Sequence, residues 1–137
     1  MPKGLMKLES YMGIHHRVIR GSLHSACLFG QIDVAKQLIN DGADVNVHDR
    51  VDTSPLHLCA LGGNEGSTRI ILDHGGASSL AQRDKSYGLT PLHIAVLCGH
   101  GHLVPLLAGY GGVAREVQNN GGHTPLTLTL TLIGGPE

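Results

Sequence analysis

The sequence has little net charge and no long run of either basic or apolar residues. Its formal net charge is −1 at pH 7 over 137 residues, so it lacks the basic patch by which proteins attract nucleic acid. No apolar stretch approaches the roughly 20 residues that a membrane-spanning helix needs. The opening residues, MPKGLM, show neither the apolar run nor the cleavage site of a signal peptide. We therefore expect an intracellular protein, cytoplasmic or nuclear, with no membrane span and no nucleic-acid partner.

Signatures of catalysis are missing as well. The sequence contains no G-x-S-x-G, P-loop, H-E-x-x-H or dinucleotide-binding pattern. Its glycine pairs stand where turns need them, and no buried strand precedes them, as phosphate binding would require. Cys27, Cys59 and Cys98 are an odd number of cysteines without a C-x-x-C pair, and we predict that Cys27 and Cys59 are buried free thiols. The sequence thus predicts neither an enzyme nor a cofactor.

A short phrase recurs along the chain. Residues 54–57 read SPLH, residues 90–93 read TPLH and residues 124–127 read TPLT, while an altered earlier copy ends in LH at 23–24. The fourth positions of these copies are separated by 33, 36 and 34 residues. A period of this length with this tetrapeptide predicts a stacked array of helix pairs, which presents a surface and carries no chemistry of its own.

The longer pattern around these copies resembles the ankyrin repeat. Residues 87–100 read YGLTPLHIAVLCGH and residues 34–46 read VAKQLINDGADVN, and the similarity extends over about residues 22–133. The resemblance implies an all-α, ankyrin-type solenoid of helix-turn-helix repeats with β-turn or hairpin finger loops. It divides the chain into an N-terminal segment or capping helix at 1–21 and an array at 22–137, with repeats near 17–48, 49–83 and 84–118 and a partial repeat at 119–137.

Elementary helix chemistry supports this resemblance. A proline in the first helical turn loses only an N–H that has no partner there, and its fixed φ suits helix entry. Gly30, Gly63 and Gly99 stand where a first helix must end, and glycine accepts the left-handed conformation of such an end. Pro105 lies within about one turn of the expected start of a second helix, where the missing donor costs little.

Two surfaces are candidates for contact with a protein partner. Just before each helix-ending glycine, where the family has polar residues on its concave face, this chain has mostly apolar ones. Aligned on successive repeats they would form an exposed apolar strip, which usually marks an interface; the alternative is that they pack against each other or the N-terminal segment. The strip candidates are Leu28, Phe29, Leu61 and Leu97, and the finger-tip candidates are Asp49, Arg50, Asp52, Arg83, Lys85 and Tyr87.

The last copy of the phrase ends differently from the others. Thr and Leu alternate through 127–132, a pattern that fits a half-buried strand, whereas the repeat context favours a helix, which we predict. The four residues 134–137 are too short and too poor in apolar atoms to cover what precedes them. We expect the resulting apolar edge to contact another chain or a remainder of this one; its residues are Leu128, Leu130, Leu132 and Ile133.

Ten histidines raise the question of a metal site. Three of them occupy the fourth position of the recurring phrase, where the ankyrin resemblance assigns the ring to a hydrogen bond between loop and helix. The pairs at 15–16 and at 100 and 102 lack the further ligands that zinc needs. We therefore predict no metal site, and a His-rich, metal-responsive module is the weakest function considered.

Asn46 is a candidate for modification. The Asn of this G-A-D-V-N turn resembles, in ankyrin proteins, a substrate of asparaginyl hydroxylation, with Leu38 and Asp44 in the favoured flanking positions. The alternative is a structural Asn that caps its own turn through side-chain hydrogen bonds.

The ankyrin resemblance implies a non-catalytic protein–protein interaction module, acting as adaptor, scaffold or inhibitor within a hetero-complex. Its partner would contact the concave face and the finger loops. The alternative is a structural subunit that is permanently embedded in a large multiprotein complex, and the uncovered C-terminal edge favours that alternative.

Overall fold

The computed structural model describes residues 23–109 and 113–132, without the side chains of 113–114 and 129–132. These residues form eight α-helices and no β-strand, which confirms the predicted all-α class. The segment proposed for 1–21 lies outside the described residues. The helices are α1 (Leu23–Leu28), α2 (Ile32–Asn40), α3 (Pro55–Gly62), α4 (Glu65–Asp73), α5 (Pro91–Leu97), α6 (Val104–Ala108), α7 (Val113–Glu116) and α8 (Pro125–Leu132).

The recurring phrase begins helices by a reciprocal cap. The Ser54 side chain accepts a hydrogen bond from the His57 N–H, and the ring Nδ1 of His57 accepts one from the Ser54 N–H. Thr90 and His93 form the same pair at the start of α5. Each pair satisfies backbone donors that a helix start leaves unpaired, which stabilises the helix by about 1 kcal/mol.

Glycine ends the first helix of each pair. Gly63 follows α3 with a φ of +72°, and its N–H donates to the Cys59 carbonyl. Gly30 and Gly99 have similar φ values of +67° and +73°. A side chain is strained in this left-handed region, so these positions favour glycine, as the sequence predicts.

The helices stack in two layers. The first helices α1, α3, α5 and α8 contact one another in that order, and α2 and α4 pack against each other behind α1 and α3. Small residues allow the close contacts between first helices: Ala26, Cys27, Cys59, Ala60 and Ala95 are all 0% exposed. Larger buried side chains between the layers include Leu56, Leu58, Ile71, Leu92, Leu103 and Leu107. Each contributes about 1.5–3 kcal/mol when it leaves water, and each pair can bury its apolar face only against its neighbours.

The structure shows the conformation of two segments whose sequence disfavours a helix. α6 begins at Val104, directly after a 3₁₀ turn at Gly101–Leu103, so Pro105 lies in the first turn, as predicted. The alternating Thr and Leu residues form the helix Pro125–Leu132 and not a strand. This helix packs against α5, and that contact outweighs the strand propensity of the local pattern.

Candidate protein-binding surface

The predicted apolar strip is exposed at only part of its length. Phe29 is 57% exposed after α1, and Leu97 is half-buried. Leu28 and Leu61, however, are 9% and 0% exposed and belong to the hydrophobic core. The expectation that these two leucines are exposed is therefore wrong. Gly62 explains why, because without a side chain it lets α3 approach the Leu28 carbonyl oxygen so closely that a Cβ would clash there.

A carboxylate or amide side chain shapes each finger loop. Asp49 Oδ1 accepts hydrogen bonds from two backbone N–H groups of its own turn, at 2.9 and 3.0 Å. Asp84 Oδ1 accepts two at 2.7 and 3.1 Å, and Asn119 Oδ1 accepts two at 2.8 and 3.0 Å. The three residues stand 35 positions apart, and this spacing in the sequence is the signal that predicts their shared role. Such side-chain turns are typical of Asp and Asn, so Asp49 shapes its loop in addition to standing near the tip.

Backbone hydrogen bonds join neighbouring fingers. The N–H of Lys85 donates to the Val51 carbonyl at 2.9 Å, and the N–H of Asn120 donates to the Tyr87 carbonyl at 2.8 Å. Arg83 adds a side-chain link, because its Nη2 donates to Asn120 Oδ1 at 2.7 Å. The loops are therefore held side by side. The exposed tip residues are Arg50, Arg83, Lys85 and Tyr87, while Asp49 and Asp52 are half-buried.

Asp84 is the buried carboxylate of the second finger. It is 4% exposed, and its Oδ2 has no hydrogen-bond partner among the described residues. Burial raises the pKa of this carboxyl, while hydrogen bonds from the N–H groups of its turn act in the opposite direction. Asp84 thus holds the loop from inside and is not part of the exposed surface.

Imidazole rings connect each helix pair to the next. Burial lowers the pKa of His57 to about 4, although its hydrogen bond to the Leu89 carbonyl acts in the opposite direction. Burial likewise lowers the pKa of His93. Both rings are neutral near pH 7 and structural. Three rings of the recurring phrase donate from Nε2 to a carbonyl of the following loop: His24 to Thr53 at 2.7 Å, His57 to Leu89 at 2.9 Å and His93 to His123 at 2.8 Å.

His100 and His102 also serve a structural contact. His100 donates from Nδ1 to the Ala60 carbonyl, and His102 donates from Nε2 to the Gly63 carbonyl, both at 2.8 Å. The two rings therefore cap the C-terminal end of α3, where backbone carbonyls lack helical partners. In the part of the chain that the structure describes, no three His, Cys, Asp or Glu residues are grouped so that they could hold a metal ion.

Both the nitrogen and the oxygen of the Asn46 side-chain amide form hydrogen bonds. Its Nδ2 donates to the Gly75 carbonyl at 3.1 Å, and its Oδ1 accepts from the Ser79 hydroxyl at 2.6 Å. Its backbone N–H donates to Asp44 at 2.9 Å. These bonds tie the first repeat to the turn after α4, so Asn46 has a structural role, and its hydroxylation stays a prediction.

Cys27 and Cys59 lie in contact within the core. Both are free and 0% exposed. The neighbouring Cys59 thiol, together with burial, raises the pKa of Cys27, so this sulfur stays protonated and unreactive. The prediction that both are buried thiols outside any disulfide is confirmed, and Cys98 is likewise buried and not part of a disulfide.

The C-terminal edge of the described array holds a cavity of about 760 Å³. Leu126 lines it and is 67% exposed, whereas Leu128 is 9% exposed. Of the other predicted edge residues, Leu130 and Leu132 lie outside the described side chains and Ile133 lies outside the described residues. The cavity is lined by Leu92, Val96, Val104, Ala108, Pro125 and Leu126, with Arg115 and Glu116 beside them.

One residue that lines this cavity departs from the apolar pattern of the preceding repeats. Val45 and Leu80 stand 35 residues apart, in the turns after the second helices, and are 7% and 4% exposed. The residue 35 positions beyond Leu80 is Arg115, which is exposed. The apolar side chain that enters the core after α2 and after α4 is therefore a cation after α6. The 35-residue spacing of Val45, Leu80 and Arg115 is the signal in the sequence from which this difference could be predicted.

None of the helices in the described parts of the chain has the length and apolar character to cross a membrane.

Comparison with known proteins gives consistent similarities. The family model described as ankyrin repeats matches residues 23–120 as three copies. The nuclear factor NF-kappa-B p105 subunit of Gallus gallus is 28% identical over 125 residues, covering 91% of this chain and 13% of that protein. The SMC5-SMC6 complex localization factor protein 1 of Bos taurus is 34% identical over 129 residues, covering 90% of this chain and 12% of that protein. The chain therefore spans about an eighth of the length of these relatives.

Proposed function

Because the chain belongs to the ankyrin-repeat family, we propose that it is a non-catalytic module that binds a protein partner through Phe29 on its concave face and through its finger loops. Ankyrin repeats generally mediate protein–protein interaction. The names of relatives, a nuclear factor and a complex localization factor, support a place inside the cell, in the cytoplasm or nucleus, and within a hetero-complex.

The observation that carries this proposal is the exposure of Phe29. It is the single phenylalanine of the sequence and leaves 57% of its surface in water, although the residues before it in α1 are buried. Exposed aromatic side chains are frequent anchors of interfaces. Of the other strip candidates, Leu97 is half-buried, whereas Leu28 and Leu61 belong to the hydrophobic core.

Affinity capture with matched variants tests the proposal. The bait is the full chain, its Phe29→Ser variant, or a Val34→Ser control, since Val34 is 43% exposed on the second helix α2. We expect mass spectrometry to find partners that the wild-type chain and the control retain and that Phe29→Ser loses. Identical partner sets for all three baits would contradict binding through Phe29. Leu61→Ser is not a suitable variant, because Leu61 is 0% exposed and loss of a buried side chain disturbs the fold.

A second candidate function, a structural subunit of a larger complex, rests on the C-terminal edge. Leu126 is 67% exposed beside the open cavity. We expect the full chain to associate at high concentration and Leu126→Lys to be more soluble and monomeric. A wild-type chain that stays monomeric in sedimentation experiments, with fast hydrogen exchange along α8, would exclude this candidate.

Hydroxylation of Asn46 is a third, separate proposal. The resemblance of its turn to substrates of asparaginyl hydroxylation supports it, whereas the two side-chain hydrogen bonds of Asn46 oppose access without local opening. Peptide mass spectra of the protein from its native source should show a one-oxygen increment on Asn46. Spectra that show only unmodified Asn46 would end the proposal.

A further inference from the structure

In the finger loops, the acidic side chains are less exposed than the basic ones. Asp49 and Asp84 each accept two backbone N–H groups within their own turns, and Asp84 is 4% exposed. The residues that directly follow them, Arg50 and Lys85, are exposed. The sequence of the tips is balanced in charge, but the carboxylates of Asp49, Asp52 and Asp84 are half-buried or buried, whereas the cations are exposed.

The exposed cations lie along one edge because the loops are joined. The N–H of Lys85 binds the Val51 carbonyl of the preceding loop, next to Arg50. On the other side, Arg83 reaches the third loop through Asn120 at 2.7 Å. We name Arg50, Arg83 and Lys85 the cationic finger edge. The carboxylates of the same loops reduce its positive charge, and among them Asp49 and Asp52 are half-buried and Asp84 is 4% exposed.

We propose that the cationic finger edge docks an acidic segment of the protein partner. The inference rests on the proposed protein-binding function and specifies the chemistry of the partner. A single exposed ion pair adds little affinity, but cations on adjacent loops can engage several carboxylates of one extended segment. Complementary charge of this kind also speeds association and selects the partner. An acidic protein segment fits better than nucleic acid, because the chain carries a net charge of −1 and three cations form a small footprint.

Titration of the ¹⁵N-labelled full chain, followed by NMR, tests this proposal. The probe is an octaglutamate peptide at low salt, with an octalysine peptide and an eight-nucleotide single-stranded DNA for comparison. We expect octaglutamate to shift the amide signals of 49–53 and 83–88, and the shifts to shrink as added salt screens the charges. Octalysine is expected to shift none of these signals.

Matched variants separate a specific edge from general attraction. Arg50→Gln with Lys85→Gln removes two cations from the edge, while Lys36→Gln with Arg69→Gln removes two exposed cations from the second helices α2 and α4. We expect the finger variant to weaken octaglutamate binding about fivefold and the helix variant to leave it unchanged. Asp52→Asn keeps a side chain that accepts a positive φ and is expected to tighten binding.

Each contrary outcome overturns the proposal. Absence of shifts at the finger amides, equal weakening by both double variants, or stronger binding of the DNA than of octaglutamate would do so. Failure here is distinguishable from failure of the proposed function. If partners are captured through Phe29 although the finger edge does not bind octaglutamate, the chain is a protein-binding module. Its cationic finger edge then does not recognise an acidic segment of the partner.

Discussion

The His57 ring makes the free energy of unfolding depend on pH. Its Nδ1 accepts the Ser54 N–H at 3.2 Å and its Nε2–H donates to the Leu89 carbonyl at 2.9 Å. A proton added to Nδ1 removes the acceptor of the first bond, in a fully buried site. A single residue therefore couples helix capping, contact between helix pairs and protonation.

This coupling predicts loss of stability in mild acid. Burial lowers the folded-state pKa of His57 from 6.5 to about 4, so the unfolded chain binds the proton more tightly. The contribution of His57 is present above pH 6.5 and is lost as the pH falls toward 4. It is on the order of 3 kcal/mol. Urea unfolding between pH 7 and 4 should show the slope, and His57→Gln should reduce it. An equal slope in both proteins would contradict the prediction.

The backbone conformation of Asp52 indicates that a substitution at this position can raise stability. It is the one non-glycine residue with a positive φ, +58°, among the described residues. This conformation strains any residue with a Cβ, although Asp tolerates it better than most. Asp52→Gly should therefore raise the free energy of unfolding by about 1 kcal/mol. Arg50→Gly on the same loop is the control, because its φ is not positive and added chain flexibility should bring no gain.

At the scale of elements, the segment after each second helix contributes one residue that can close the core. Val45 and Leu80 are buried after α2 and α4, whereas Arg115 after α6 is exposed and lines the open cavity. Apart from Arg115 and Glu116, the described residues that line the cavity carry no charge.

Arg115→Leu should therefore close the cavity. Cavity-filling substitutions commonly stabilise proteins by about 0.5–2 kcal/mol, and we expect a gain in that range from denaturant unfolding. Glu116→Leu is the matched control, because the equivalent residues 35 and 70 positions earlier, Ala81 and Asn46, are not core residues. Equal effects of the two variants would show that Arg115 does not occupy the position of Leu80.

At the scale of the whole molecule, burial depends on the neighbouring helix pair. The leucine of the recurring phrase is 0% exposed at Leu56 and 2% exposed at Leu92, but 67% exposed at Leu126. The same residue in the same local motif is therefore core in one place and surface in another. This is expected of an array whose stability comes largely from contacts between neighbours.

Alanine substitutions at this shared position should reproduce the difference. Leu92→Ala removes a buried side chain and should cost roughly 2–5 kcal/mol of unfolding free energy. Leu126→Ala should change it by less than about 0.5 kcal/mol. A loss well under about 1 kcal/mol for Leu92→Ala would mean that this leucine is not in the core.

The sequence by itself determined the local features of this protein. The helix starts at Ser54 and Thr90, the glycine ends such as Gly63 and the first-turn position of Pro105 were all predictable. Each depends on backbone groups within a few residues, so a short motif contains the whole cause. The family resemblance follows from the same motifs and their period.

Only the tertiary structure decided which apolar residues are exposed. Leu61 was predicted to be exposed and is core, while Phe29 was predicted to be exposed and is so. The helical form of 125–132 and the cavity beside Arg115 likewise depend on α5 and α6. Burial is set by how closely a neighbouring helix approaches, and that distance depends on residues such as Gly62, which lies far along the chain from the carbonyl it contacts.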